Sequence, residues 1–95
     1  MQERRQMEYR IAYRDVFFEH FYQMTADEQK LITRKIELLR ANPAHRSLRT
    51  KILRTKVKNQ YESSVSMDIR IIWQLDGDQI LFIDVGHHDI TKKYG

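Results

Sequence analysis

The chain lacks several features that define common classes of protein. Its 95 residues include no cysteine, which excludes disulfide bonds, a cysteine-ligated zinc site and a thiol nucleophile. Three glycines and one proline are too few for a low-complexity segment or a glycine-rich phosphate loop. No apolar run approaches the ~18 residues that a membrane-spanning helix needs, so no membrane association is expected. A chain of this length has room for one domain, which we expect to cover residues 1–95.

Nothing in the first residues indicates export. Residues 1–6 are mostly polar or charged, and no apolar segment follows them. A secretory signal peptide requires such a segment, so none is expected. In the absence of any targeting signal, the cytoplasm is the expected compartment.

The charge of the chain is unevenly distributed. The net charge is +4, from 17 basic and 13 acidic residues. Residues 43–61 contain no acidic residue, whereas residues 71–91 contain no Lys or Arg. The basic residues of the first segment are Arg46, Arg49, Lys51, Arg54, Lys56 and Lys58. A block of this kind suits the binding of phosphates, and a solvated basic loop is the alternative interpretation.

The N-terminal half predicts a short strand followed by two helices. Residues 9–13 alternate between polar and apolar, which is typical of a strand. Aromatic residues at helical spacing from Phe17 onward predict a first helix of about ten residues. Thr25 and Glu28 form a capping-box pattern, and the helix that starts there should run for about four turns and end before Pro43. The short connection between the two helices predicts an antiparallel hairpin.

The C-terminal half alternates with a period of two, which is typical of strands. Four strands are predicted, at residues 52–57, 61–67, 69–75 and 79–85. The sequence at 76–78, Asp-Gly-Asp, indicates a hairpin turn before the last strand. That strand is almost wholly apolar, so we expect it to be central in the sheet or covered. The expected fold is therefore α+β, with an N-terminal strand and a helical hairpin packed on one face of a mostly antiparallel sheet.

Arg70 and two histidines are the side chains best suited to chemistry. Arg70 lies among apolar residues of its strand, so we expect it on the open face of the sheet, next to solvent, an anion or an aspartate. His87 and His88 are adjacent on a strand and should point to opposite sides, so no metal site is predicted. A histidine at this place suits proton transfer near neutral pH. His20, on the first helix, is assigned to the surface or the core.

Cleavage of RNA fits these residues without a metal. Attack of a ribose 2′-hydroxyl on the adjacent phosphate needs a base, an acid for the leaving 5′ oxygen and cations that stabilise the transition state. His, Tyr, Glu, Lys and Arg all occur in the second half of the chain. A serine hydrolase is not expected, because the chain has no Gly-x-Ser-x-Gly segment.

Four segments of the second half closely resemble the RelE/ParE superfamily of bacterial toxins. They are residues 47–51 (SLRTK), 61–65 (YESSV), 69–73 (IRIIW) and 84–89 (DVGHHD). The similarity extends over about residues 9–94 and follows the element order of the family. It implies the small toxin fold, in which a helical hairpin lies against an antiparallel sheet. It also implies a cognate antitoxin whose C-terminal segment wraps the toxin, and a toxin–antitoxin heterotetramer is one assembly that it allows.

The resemblance implies one of two activities. RelE-like members cut messenger RNA in the A site of the 70S ribosome, use no metal or other cofactor, and leave a 2′,3′-cyclic or 3′-phosphate end. ParE-like members inhibit DNA gyrase and lack the nuclease residues. We predict a RelE-like endoribonuclease that inhibits translation. A gyrase inhibitor, an inactive family member and an RNA-binding protein without cleavage are the alternatives.

The resemblance also implies roles for single residues. Arg70 corresponds to the arginine that contacts the scissile phosphate. His88, or His87 as the near alternative, corresponds to the basic residue that follows the glycine of the last strand. Tyr94 corresponds to a tyrosine that acts in proton transfer or stacks on the base, and Thr91 is the alternative occupant of that position.

The strand after the basic segment departs from the best-known nuclease of the family. Glu62 and Ser64 stand where that enzyme has two lysines, and we predict Glu62 as a candidate base. Basic residues of the preceding segment are expected to restore the missing charge and to hold the RNA backbone. They are Arg49, Lys51, Arg54, Lys56 and Lys58.

Overall fold

Residues 8–94 are described by the computed structural model of this chain. The absence of a signal peptide was inferred mainly from residues 1–6, which lie outside the described residues. The helices of the described part are α1 (Asp15–Phe21), α2 (Ala26–Ala41) and α3 (Thr91–Tyr94). The strands are β1 (Arg10–Tyr13), β2 (Lys51–Ile52), β3 (Gln60–Ser64), β4 (Ile69–Asp76) and β5 (Gln79–His87).

The strands form one mixed sheet in the order β1-β5-β4-β3-β2. β5 is an interior strand, parallel to its neighbour β1 and antiparallel to its neighbour β4, and β2 forms one edge. The turn between β4 and β5 contains Gly77, which has a φ of 61°. A side chain disfavours this left-handed conformation, so glycine suits the position. The turn and the mostly antiparallel sheet confirm the predictions, and β5 is covered on both edges, although the central strand of the five is β4.

α1 and α2 cover one face of the sheet. Phe17 of α1 is buried in the same cluster as Ile32, Ile36 and Leu39 of α2. The sheet residues of this cluster are Ile69, Ile71, Trp73, Ile80, Phe82 and Val85. Burial of apolar side chains from both layers is the main force that holds them together. This arrangement confirms the predicted α+β fold. None of the helices in residues 8–94 has the length and apolar character that a membrane crossing requires.

The predicted start and end of α2 are confirmed. Thr25 Oγ1 accepts a hydrogen bond from the backbone N–H of Glu28 at 3.1 Å. In return, Glu28 Oε1 accepts from the backbone N–H of Thr25 at 2.9 Å, which completes the capping box. The helix ends at Ala41, before Asn42 and Pro43.

α1 is shorter than the predicted ten residues. It ends at Phe21, and Met24 lies in the connection to α2. The side-chain amide of Gln29, on α2, donates hydrogen bonds to the carbonyls of Phe21 and Met24, each at 3.2 Å. These bonds tie the start of α2 to the end of α1, where the carbonyl of Phe21 also accepts from the backbone N–H of Met24 at 3.1 Å.

β2 is also shorter than predicted, since it covers Lys51–Ile52 instead of residues 52–57. Beyond it the chain forms a turn, in which the hydroxyl of Thr55 accepts from the backbone N–H of Val57 at 3.1 Å. Local bonds of this kind compete with strand pairing. The basic residues of this segment therefore lie on an irregular loop and not on a strand face.

The sheet face opposite the helices was predicted to be open, and this prediction is wrong for its centre. Ile72 and Ile83 are buried there together with Leu53 and Ile90. Leu53 follows β2, and Ile90 belongs to the short 3₁₀ helix His88–Ile90 that leads into α3. Apolar residues on both faces of a central strand need cover on both sides, which explains the second cluster.

Candidate active site

Arg70 lies on β4 opposite Ser64 of β3 and Gly86 of β5. Its Nε donates to Glu62 Oε2 at 3.1 Å, and its Nη1 donates to the carbonyl of Ser66 at 2.9 Å. The ion pair is largely shielded, because the side chains of Arg70 and Glu62 are only 20% and 11% exposed. The partner of Arg70 is thus a glutamate and not an aspartate. No acceptor within residues 8–94 bonds its Nη2, which leaves a donor available to an anion.

A cavity of about 270 Å³ lies beside Arg70. Arg49 lines it as well, and the hydroxyl-bearing residues of its wall are Ser47, Ser64 and Ser66. Arg49 has a left-handed backbone conformation, with a φ of 47°, which is uncommon for a residue with a side chain. Two guanidinium groups and several hydroxyl groups around one cavity suit a phosphate.

His87 and His88 converge on one carboxylate at the end of β5. Their Nδ1 atoms lie 2.5 Å from Asp68 Oδ2 and 2.8 Å from Asp68 Oδ1, respectively. The expectation that they point to opposite sides is wrong, because β5 ends at His87 and the 3₁₀ helix begins at His88. Hydrogen bonds from His88 and His87 lower the pKa of Asp68 from 3.8 to about 2. The hydrogen bond to Asp68 in turn raises the pKa of His87.

Tyr94 lies in a different group of side chains. Its hydroxyl donates to Asp84 Oδ2 at 2.7 Å, and Asp84 Oδ1 lies 2.6 Å from His20 Nδ1. Asp84 is fully buried and also accepts from the backbone N–H of Val85. Burial, followed by the bond to Asp84, raises the pKa of Tyr94 to about 12. The hydroxyl therefore stays protonated at neutral pH and anchors α3 to the sheet.

Thr91, the alternative to Tyr94 for the position of the family tyrosine, is the first residue of α3. Its Oγ1 is buried and has no hydrogen-bond partner within residues 8–94. Within residues 8–94, no acid or base is therefore hydrogen-bonded to this hydroxyl.

The basic residues divide into two sets. Arg49 lines the cavity of Arg70, and Lys51 pairs with Glu62 across β2 and β3, so both lie beside the Arg70–Glu62 ion pair. The other three lie on the exposed loop after β2 and are Arg54, Lys56 and Lys58. The first set can contact a phosphate held by Arg70, while the loop extends the positive surface along the sheet edge.

Several residues of this region were not identified from the sequence. Asp68 lies in the turn between β3 and β4, and its contact with the histidines spans 19 to 20 positions of the chain. Asp84 was given no role of its own from the sequence, and His20 was assigned to the surface or the core. Only the position of Asp84 within an otherwise apolar strand could have indicated that it is buried.

Comparisons with known proteins give matches among solved structures alone. No family model and no curated protein sequence matches the chain. The Escherichia coli DinJ–YafQ toxin–antitoxin complex aligns with a TM-score of 0.74 and 16% identity, over 88% of this chain and 97% of the other. An archaeal RelE–RelB complex from Pyrococcus horikoshii aligns with a TM-score of 0.71 and 14% identity, over 85% and 96%.

A third match is a YoeB/ParE toxin from Agrobacterium tumefaciens, with a TM-score of 0.69 and 11% identity over 83% of this chain and 98% of the other. The matched chains are thus covered almost completely, while few residues are identical. Likeness at this level of identity establishes a shared fold and leaves activity to be argued from the site. The structure confirms the fold implied by the sequence resemblance, and the chain has the fold of the RelE/ParE superfamily of toxins.

Proposed function

We propose that the chain is the toxin of a toxin–antitoxin pair and acts as a metal-independent endoribonuclease on messenger RNA. One observation carries this proposal: Arg70 and Gly86 are paired across β4 and β5. The pairing brings the phosphate-suited cavity of Arg70 close to His87 and His88, which follow Gly86. Cations and groups that transfer protons then meet at one end of the sheet, as cleavage of a phosphodiester requires.

The proposed reaction uses the ribose of the substrate as the nucleophile. A base takes the proton of the 2′-hydroxyl, the 2′ oxygen bonds to phosphorus, and the bond from phosphorus to the 5′ oxygen breaks. An acid donates a proton to that 5′ oxygen, which gives a 2′,3′-cyclic phosphate and a 5′-hydroxyl. Arg70 and Arg49 hold the phosphate and stabilise the charge that develops on its oxygens.

The acid role falls to His87 or His88. The bond to Asp68 raises the pKa of His87, so a larger fraction of it carries a proton at neutral pH. Glu62 is the candidate base, and its carboxylate already contacts the Nε of Arg70. The hydroxyl of Tyr94 can transfer a proton only after it leaves Asp84, so in this arrangement it positions α3.

The proposed partners follow from the same reasoning. The exposed residues Lys51, Arg54, Lys56 and Lys58 hold the RNA backbone outside the cavity. Two of the similar structures are complexes of a toxin with an antitoxin, and we infer that this chain also binds a cognate antitoxin, in a heterotetramer or a smaller complex. Messenger RNA in the A site of the 70S ribosome would be the substrate, which makes the cytoplasm the site of action.

Primer extension on a translated messenger RNA, with and without purified ribosomes, tests the proposal. Discrete cuts that require ribosomes support a nuclease of the RelE type. Cuts without ribosomes support a nuclease that acts on free RNA and remove the ribosome from the account. The absence of cuts under both conditions contradicts the nuclease proposal.

A second candidate function is inhibition of DNA gyrase. The similarity to a YoeB/ParE toxin supports it, because that match carries both names. Growth arrest by the chain without RNA cuts, together with loss of DNA supercoiling by purified gyrase, would favour this function. If the chain causes neither growth arrest nor RNA cuts, it is an inactive member of the superfamily.

A further inference from the structure

A second cavity, of about 400 Å³, lies beside the end of β5. It is formed where the end of α1, the end of β5 and the segment that contains α3 meet. Its titratable residues are His20, His87, Asp89 and Lys93. The remaining walls come from Gln23, Met24 and Ile90, together with the backbone around Gly86. The volume is sufficient for a ribose with its phosphate.

Each of the two histidines in this cavity is held by an aspartate. His20 Nδ1 lies 2.6 Å from Asp84 Oδ1, and His87 Nδ1 lies 2.5 Å from Asp68 Oδ2. No atom of residues 8–94 forms a hydrogen bond with the Nε2 of either ring. An imidazole whose Nδ1 is fixed by a carboxylate presents Nε2 in a defined orientation, which is what transfer of a proton to a ligand requires.

The aspartate behind His20 is itself firmly placed. Asp84 is fully buried, and it also receives hydrogen bonds from the N–H of Val85 and the hydroxyl of Tyr94. The side chain of His20, in contrast, is 33% exposed and borders the cavity. A fully buried carboxylate that supports a solvent-accessible imidazole is more than helix packing demands, because an apolar residue at 84 would fill the strand at lower cost.

We propose that His20 is a second catalytic residue and that it shares this cavity with His87 and Lys93. The proposal rests on the proposed RNA cleavage and assigns the base to His20 in place of Glu62. Nε2 of His20 takes the proton of the ribose 2′-hydroxyl, and the 2′ oxygen attacks phosphorus. The bond to the 5′ oxygen breaks as Nε2 of His87 donates its proton to that oxygen.

The surrounding charges fit this division of roles. Lys93 supplies a cation to the nucleotide in addition to Arg70, which holds the phosphate from the neighbouring cavity, while Asp89 on the same wall as Lys93 accepts hydrogen bonds from the nucleotide. Gly86 lines this cavity and is the cross-strand partner of Arg70. The cavity beside Arg70 and the cavity beside His20 are therefore neighbours. Asp84 acts through His20 and is a positioning residue.

The test compares the pH dependence of single-turnover RNA cleavage in three proteins: the wild type, His20→Gln and Glu19→Gln. Glutamine retains an amide donor for Asp84, so His20→Gln preserves the bond that holds the end of α1. We expect it to reduce the rate at least ~100-fold and to remove the limb of the pH profile that reports the base. Glu19→Gln, an exposed change on the same helix, should leave rate and profile unchanged.

The outcomes separate this inference from the function on which it rests. If the wild type cleaves RNA, and His20→Gln cleaves at a similar rate and keeps both limbs of the pH profile, the role of His20 is overturned and the nuclease proposal stands. If the wild type cleaves no RNA, both fall. Should His20→Gln not fold, NMR of the wild type with a 2′-deoxy dinucleotide decides: shifts of both the His20 and His87 ring signals support the shared cavity, and unchanged His20 signals overturn it.

Discussion

The contact of Asp68 with two histidines makes a quantitative prediction about the titration of this carboxylate. Its pKa is lowered from 3.8 to about 2, first by the hydrogen bond from His88 and next by that from His87. At pH 3, a carboxyl group with a pKa of 2 is about 10% protonated, whereas one with the ordinary value is about 85% protonated. Replacement of both histidines by alanine should therefore raise the protonated fraction of Asp68 at this pH.

The pH range in which this contact stabilises the fold follows from both shifts. The pKa of Asp68 is lowered in the folded chain, so its contribution is present above 3.8 and is lost as the pH falls through about 2. The pKa of His87 is raised, so its contribution is present below 6.5 and is lost as the pH rises through the raised value. The contact is thus fully formed between about pH 4 and 6.5, and salt should weaken it because all three side chains are exposed.

Carbon-detected NMR of side-chain carboxyl groups measures this pKa directly. The wild type should titrate near 2. The double variant His87→Ala/His88→Ala should titrate at a higher pH that stays below 3.8, because the backbone N–H of residue 88 still donates to Asp68, and the single variants should lie between the two. His88→Ala should have the larger effect of the two, because its hydrogen bond is the leading cause of the shift. A wild-type Asp68 that titrates near 3.8 would refute the geometry of the histidine pair.

Three further predictions concern the end of the sheet and its surface. In Gly86→Ala, the new Cβ would lie 2.8 Å from Ile90 Cδ1. The free energy of unfolding, measured by urea denaturation, should therefore fall by about 1–3 kcal/mol. An unchanged denaturation midpoint would contradict the close contact. Tyr94 should ionise with a pKa of about 12 in an absorbance titration, and Tyr94→Phe should remove this ionisation step from the titration curve. A wild-type curve that lacks an ionisation near pH 12 would argue against the bond to Asp84. If Arg49, Lys51, Arg54, Lys56 and Lys58 all contact phosphates, the affinity for single-stranded RNA should fall roughly 100-fold for a fourfold rise in salt concentration. An affinity that does not change with salt would exclude these residues as the RNA-binding surface.

The sequence predicts those parts of the fold that depend on local signals. The capping box at Thr25 and the stop before Pro43 define α2, because hydrogen bonds and steric conflicts between near neighbours determine both. The apolar run of β5 predicts a central or covered strand, since only a strand covered on both faces tolerates it. In the segment after β2, by contrast, hydrogen bonds of the Thr55 hydroxyl with Val57 and Gln60 override the alternating pattern.

The site itself is less accessible to prediction from the sequence. Arg70 stands out because it interrupts an apolar strand, but its partner Glu62 is a matter of register between two strands. The contact of Asp68 with the histidines depends on where β5 ends, which no periodic pattern specifies. Asp84 contacts His20, 64 positions away in the chain, only after the whole sheet has formed.

The central claim is that Arg70 stabilises the phosphate during RNA cleavage, and one rate comparison tests it most directly. Single-turnover cleavage by Arg70→Ala should be at least ~100-fold slower than by the wild type. Arg10→Ala is the matched control, because Arg10 is an exposed arginine of the opposite edge strand, paired with Asp78, and its loss should leave the rate unchanged. A folded Arg70→Ala protein with near-normal cleavage would contradict the account.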